Sequence, residues 1–460
     1  MKLLFKAAFL LFLNMAVVGC SDSDASPTVK SPYEQYGTAF ANMPKSEDAI
    51  IYQVNIRSFS ANGDLNGVRA KLADIKALGA NVVYLMPIYP VGVLNAAGEL
   101  GSPYSVKDYK AVNPAFGTLE DLRALVNEAH AMDMAVVLDW VANHTSFDNA
   151  WITEHSEWYQ KNSSGEIISP PGTNWADVAQ LNFSNLKMRA AMIDAMSYWV
   201  YNANIDGFRC DAADFVPQNF WAEAVPKLRT IKKNQHIIML AEGSRNDHFQ
   251  AGFDYIFGFN FFDALKKVFG ENKPATTLQD SNAIEYANNY SDTKRVVRYT
   301  TNHDVNLSDG TSLELFRGAN GSMAAFVVAA YMKSVPMVYN GQEIGYNQRI
   351  NYFSAVPINW NNPDTNLLSQ YKKIIAFRKT SNAIKSGAYT GYSTNAISAF
   401  TMQKDNETVL VLSNLTNTTT NYIIPTTLAA TTWKDAFTDA PANVGTQVIL
   451  APYQYLVLKN

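Results

Sequence analysis

The stretch DGFRCDAAD, residues 206 to 214, sets Arg209 and Asp211 two positions apart around Cys210. In a strand, residues i and i+2 face the same way, so guanidinium and carboxylate project together while Cys210 projects oppositely. By itself the pair is either an ion pair that orders a loop or a carboxylate held ionised in a cleft. The same texture recurs in SPYSVKDY, LDWVANHT, LAEG and TTNHD, which carry Tyr104, Asp139, His144, Glu242, His303 and Asp304. One such ending is explained by helix capping, since Asp and Asn favour that position. Several in register are not. Asp211, Glu242 and Asp304 together suit glycoside hydrolysis, which needs one ionised carboxylate as nucleophile and another kept protonated as acid. On this reading Arg209 depresses the pKa of Asp211, and partial desolvation after the apolar IIMLA raises that of Glu242. A divalent-metal hydrolase is the competing reading of His and Asp clusters, but closely spaced ligands such as His-Glu-x-x-His are missing.

These groups can meet only if the elements before them end side by side. Eight apolar runs do so: AIIYQVNI, NVVYLMPI, MAVVLDWV, IDGFRCD, HIIMLAEG, FDYIFGF, RVVRYTTNHD and VPMVYNG. Most are followed by amphipathic helical stretches such as TLEDLRALVNEAHAMD and PQNFWAEAVPKLRTIKK; HIIMLAEG is followed only by a short polar stretch, and FDYIFGF by TTLQDSNAIEYANNY. Strands alternating with helices predict a parallel sheet, and eight units predict a closed (β/α)8 barrel with its chemistry at the C-terminal strand ends. The barrel region, about 46–383, exceeds the ~250 residues usual for that fold, and the excess lies in a connection at about 145–185. From 384 to 460 short alternating runs such as AISAFTMQ and ETVLVLSNLT predict an antiparallel β-sandwich.

Charged residues at 17% and hydrophobic ones at 47% suit a globular chain with a large core. A net charge of −4 without a basic run excludes an electrostatic case for nucleic acid. Aromatics at 12% suit either sugar-stacking surfaces or core packing, and both stay open for Trp151, Trp158 and Trp175. Asp108, Asp148 and Asp177 read as solvated loop residues or caps. At the N-terminus, Lys2 and Lys6 precede an apolar stretch of signal-peptide length that ends in Val17-Val18-Gly19-Cys20. This resembles a lipobox, so residues 1–20 are expected as a lipoprotein signal peptide with lipidation at Cys20, residues 21–45 as a polar tether, and the cell envelope as the location. Cys210 is the other of 2 cysteines and reads as a small buried apolar residue.

LDWVANHT, GFRCDAADF, LAEG and TTNHDV, in this order, resemble the four signature regions of the α-amylase family, glycoside hydrolase family 13. IIYQVNIRSF, SPYSVKDYKAVNPAFGT and SVPMVYNGQEIG are similar to that family as well. The resemblance implies an α-glucan substrate cleaved without a cofactor, with Asp211 as nucleophile and Glu242 as general acid and then base. It implies that Asp304, His144 and His303 bind one sugar, that Tyr104 stacks on it, that Arg209 orients Asp211, and that Asp139 supports the group from below. The 145–185 segment would be the family's B domain. The chain departs from the pattern in two places. Where many members have Lys-His after the nucleophile, it has Asp214 and Phe215; where the family often has Asp-Leu-Asn, it has Gln180-Leu181-Asn182. That Asp and the carbonyl of the Lys-His histidine commonly help bind a structural calcium, together with the Asn at Asn143's position, so calcium is left possible but not expected. Ala212 fits α-1,4 cleavage better than the Val typical of α-1,6 oligosaccharidases. The alternatives are glycosyl transfer by the same covalent step, or a glycan-binding protein without catalysis.

Overall fold

All eight apolar runs become parallel strands: β1 (Ile51–Val54), β2 (Val82–Leu85), β3 (Ala135–Val141), β4 (Gly207–Asp211), β5 (Ile238–Ala241), β6 (Tyr255–Phe257), β7 (Arg295–Arg298) and β8 (Ser334–Tyr339). They pair in sequence order and close into a barrel through β1 and β8. The computed structural model describes residues 32–232, 236–287 and 293–460. The expected signal peptide and Cys20 lie outside the described residues. Among those described, no helix is long and apolar enough to cross a membrane.

Every residue of β3 and β4 is buried, as expected for parallel strands covered on both faces. The covering layer includes α1 (Leu72–Leu78), α2 (Leu119–Ala131), α3 (Leu186–Ala203), α4 (Gln218–Arg229), α5 (Phe259–Glu271), α6 (Thr277–Glu285), α7 (Ala319–Tyr331) and α8 (Thr365–Thr380). α2 starts in a capping box, with Thr118 and Asp121 each satisfying the other's backbone N–H. Two of these helices follow β6, where the sequence reading expected one. α5 was not foreseen; it buries Phe261, Phe262, Leu265, Val268 and Phe269, a helical spacing.

At the N-terminal ends of the strands, buried carboxylates hold the barrel together. Asp206, just before β4, accepts from Val136 N at 2.8 Å and pairs with Lys232 at 3.0 Å and His130 at 2.7 Å. Asp254, just before β6, accepts from Met239 N at 2.9 Å and pairs with Arg229 at 2.9 Å. Both residues lock neighbouring strands in register, a stabilising role suited to that face of a barrel. Part of the expected tether also packs here. Tyr36 N donates to Tyr201 O at 2.7 Å, Asn204 donates to the Thr38 carbonyl at 2.7 Å, and Phe40 stacks on His130 with ring centres 4.7 Å apart.

The 145–185 insertion is closed at its base by a two-stranded ribbon, His144–Ser146 against Val178–Gln180. Trp151 and Trp158 lie edge to face at 5.1 Å, and Trp151 also packs on Tyr109. Trp158 is a core residue and the half-buried Trp151 packs against that core; Trp175 does neither.

The C-terminal region is a six-stranded antiparallel sheet with a two-stranded ribbon, Thr420–Ile423 and Gln447–Leu450, over one face. Strand alternation serves both sides. Ile397, Ala399, Leu410 and Leu412 pack beneath the ribbon, whereas Phe400, Met402, Val409 and Val411 join the barrel's own core. The barrel-facing side rests against α7, in which every residue from Gly321 to Tyr331 is buried. Ser413 Oγ donates to the Ala324 carbonyl at 2.9 Å across that junction.

Gly207 opens β4 with φ +153°, and a Cβ there would lie 2.0 Å from the Ile238 carbonyl oxygen. Gly207→Ala should therefore cost on the order of 1–3 kcal/mol from backbone strain alone, read by denaturant unfolding. A variant as stable as the parent would show that β4 and β5 are not packed this closely.

Candidate active site

The C-terminal ends of β3, β4, β5 and β7 deliver Asp139, Arg209, Asp211, Glu242, His303 and Asp304 to one place. Arg209, wholly buried, is their meeting point. One of its nitrogens lies 2.7 Å from Asp139 Oδ1 and 2.9 Å from Asp211 Oδ1, and its other terminal nitrogen pairs with Glu242 Oε1. Glu242 Oε2 accepts from the Ala212 N–H at 2.7 Å. Ala212 can aim that N–H because its backbone is left-handed, with φ +43°, immediately after the strand ends. A non-glycine residue in that region stores strain, a feature that concentrates at functional sites.

Asp139 Oδ2 accepts from Tyr84 at 2.6 Å and from Tyr104 at 3.1 Å. The Tyr104 hydroxyl is also 2.6 Å from His303 Nε2, and Gln53 bonds His303 Nδ1 at 2.8 Å. Asp304 lies 3.2 Å from His303 Nε2 and accepts from the Tyr352 hydroxyl at 3.2 Å. Above this network opens a cleft of about 480 Å³ lined by Tyr104, His144, Trp175, Asp177, Asp211, Glu242, His303, Asp304 and Tyr352, among others.

The three carboxylates expected at the mouth, and His144, His303 and Tyr104 with them, thus face one cavity. Asp139 and Arg209, expected to support that group from below and to orient Asp211, do not line the cavity. Both are fully buried beneath the cleft and act only through the groups they hold. Cys210 points the other way into the core, as the strand period requires. Asp177, expected to be solvated, is buried at the cleft wall, and burial raises its pKa. Trp175 packs on His144 at 5.5 Å and on Phe215 at 5.5 Å, so of the three tryptophans it alone lines the cleft. Asp214 turns away, accepting from the Ser244 N–H at 3.0 Å and bonding His248 at 2.7 Å. Phe215 instead stands 53% exposed.

The sequence reading missed Gln53, Tyr84, Tyr352 and Arg57. Buried Arg57 donates to the carbonyls of Leu100, Gly101 and Tyr352 at 3.0, 2.7 and 2.6 Å, joining the loops after β2 and β8. That tie sets Tyr352 against Asp304. Arg57 stood within IIYQVNIRSF, but only the loops' final positions reveal what it holds.

Charge sharing corrects one expectation. Burial pushes Asp211 well above the ordinary carboxylate range, the charge of Glu242 adds to this, and the opposing pull of Arg209 is outweighed. A single guanidinium serves three carboxylates. Asp139 is pushed up to about 6, again chiefly by burial and against the pull of Arg209. Glu242 pairs with Arg209 through one oxygen and accepts from the Ala212 N–H through the other. Burial lowers His144 to about 4 and His303 to about 3, so both offer hydrogen bonds rather than charge at neutral pH. Asp304, with 48% of its side chain exposed, is raised by the enclosing protein, which outweighs the pull of Arg209 and the Tyr352 hydroxyl.

Comparison with known proteins identifies a matching family and fold. The family model "Alpha amylase, catalytic domain" matches residues 23–169 and 172–362. The chain is similar to α-amylase 3 of Dictyoglomus thermophilum, at 24% identity over 81% of its own length and 86% of that protein. A shorter match, 31% identical over 36% of the chain and 35% of the relative, is to the probable oligo-1,6-glucosidase 3 of Bacillus subtilis. Its fold superposes on the crystal structure of an α-amylase from Lactobacillus plantarum with a TM-score of 0.81 and 27% identity, covering 90% of this chain and 99% of that one.

The shared guanidinium makes a stability prediction with a definite sign. Because the folded state raises the pKa of Asp211, its ionisation opposes folding. That penalty is fully present above the raised pKa, shrinks as pH falls through it, and is gone below the unfolded value. Asp211→Asn should therefore raise the unfolding temperature at about pH 7, and the gain should fade as pH approaches about 4. A gain that grew on acidification would contradict the charge arrangement.

Proposed function

The chain belongs to the α-amylase family of glycoside hydrolases, and on that footing we propose that it cleaves α-1,4-glucosidic bonds of starch-like glucans with retention of anomeric configuration. The observation that carries this reading is the contact of both Asp211 and Glu242 with the one Arg209 guanidinium. Sharing one guanidinium brings the two carboxyl groups near each other, which supports a covalent, retaining route, in which they stand about 5–5.5 Å apart.

In this mechanism Asp211 attacks the anomeric carbon while protonated Glu242 gives its proton to the departing glycosidic oxygen. The C–O bond to the leaving sugar breaks as the β-glycosyl ester on Asp211 forms. Glu242, now a carboxylate, takes a proton from water; the water oxygen bonds to the anomeric carbon and Asp211 is released. Arg209 accompanies Asp211 throughout, so the nucleophile regains a charge partner when the ester breaks. Glu242 exchanges its Arg209 contact for the glycosidic oxygen as the sugar enters. Neutral His144 and His303, with Asp304, suit hydrogen bonds to sugar hydroxyls, and Tyr104 offers its ring to the sugar face. Ala212, in place of Val, favours α-1,4 over α-1,6 linkages.

One observation supports glycosyl transfer as the second reading. The exposed Phe215 ring against Trp175 makes an apolar platform beside the cleft, fit to hold an acceptor sugar instead of water. We also propose export and lipid anchoring at Cys20, on the strength of the charged and apolar run before it. Cys20→Ala should move the protein from the membrane fraction to the soluble one; unchanged membrane association would exclude that anchor.

Proton NMR of maltotriose digestion tests the main reading. The first product released should be the α-anomer, and longer oligosaccharides would reveal transfer. An initial β-anomer would refute retention. Glu242→Gln should lower kcat by about 10²–10⁴-fold while maltooligosaccharide binding persists. Undiminished turnover would remove Glu242 from the acid role.

A further inference from the structure

Gln180 lies at the end of the ribbon that joins the insertion to the barrel, opposite His144. Its side-chain nitrogen is 3.1 Å from each of three oxygens: the Asn143 carbonyl, Asn143 Oδ1 and the Leu181 carbonyl. Its oxygen accepts from Asn143 Nδ2 at 3.2 Å. The two backbone carbonyls settle which end of the amide is nitrogen, since the reverse would set oxygen against oxygen. The neighbouring His144 carbonyl accepts from the Tyr109 hydroxyl at 2.8 Å.

This junction is where the family resemblance implies a structural calcium. The residues present do not fit one. A calcium ion takes about 6–8 oxygens at roughly 2.3–2.6 Å, usually with carboxylates among them. Here the ring contributes no carboxylate, and an NH₂ group stands where the oxygens converge. Among the described residues no group of three or more His, Cys, Asp or Glu could hold a metal ion.

We infer that the Gln180 amide takes the cation's place as a built-in, metal-independent clamp. Its N–H groups satisfy the converging oxygens and bind the insertion to the end of β3. Through Asn143, whose Nδ2 lies 3.2 Å from His144 Nδ1, Gln180 acts as a positioning residue for the His144 ring in the cleft wall. The clamp does not depend on which glucan is cleaved, and thermal unfolding reads it without substrate.

The test uses the full chain in calcium chloride and in EDTA. The parent should unfold at the same temperature in both and give no calcium-binding heat in titration calorimetry. Gln180→Asp restores a carboxylate, so it should unfold earlier in EDTA and recover with calcium, its kcat/KM recovering in parallel. Gln180→Ala should lose about 10- to 100-fold in kcat/KM, with no rescue by calcium. A parent whose unfolding temperature drops in EDTA and returns with calcium would overturn the inference. So would a Gln180→Asp protein indifferent to calcium, a readout that survives even if Gln180→Ala does not fold.

Discussion

A single buried guanidinium is the constraint around which the cleft is built. Arg209 has no water to turn to, so it can be tolerated only with carboxylates around it, and it gathers three. Those three come from β3, β4 and the end of β5, so the register of adjacent strands becomes the spacing of the reactive groups. The arrangement is frustrated as a set of charges, since one cation cannot compensate three anions. The register that gathers them is held at the opposite ends of the strands, where Asp206 and Asp254 bind the neighbouring strands.

Much of this was legible in the sequence because it depends on strand period. Arg209, Cys210 and Asp211 alternate as a strand requires, and the polar endings of four apolar runs fell where a barrel needs them. The parts that escaped depend on tertiary closure. α5 was missed because its apolar residues follow those of β6 through Phe257-Gly258-Phe259 with little to mark the boundary. Gln53 and Arg57 lie far along the chain from His303 and Tyr352, the partners they bind, and meet them only when the barrel closes. Trp151, Trp158 and Trp175 are alike in sequence, and only the path of the insertion decides which faces the cleft. The direction of the Asp211 pKa shift was misread for a related reason. Spacing shows its neighbour Arg209 but not the Asp139 and Glu242 that share it.

The cleft wall is likewise divided between groups that can meet a ligand and groups that only hold them. His303 is gripped at both ring nitrogens, by Gln53 and by Tyr104, and Tyr104 is itself tied to Asp139. Such chains of hydrogen bonds leave few rotamers to choose among, so the cavity keeps its shape before any sugar arrives.

The uniform burial of α7 has a consequence for how the chain can change. A helix without a wet side has no existence apart from what encloses it, and here the enclosure is shared between the barrel and the C-terminal sheet. Deleting that sheet would bare a greasy rod on the barrel's flank and invite aggregation. The terminal strands are therefore no detachable accessory: recombination or engineering that exchanges them must bring a replacement lid of matching contour, so the two regions should be inherited together.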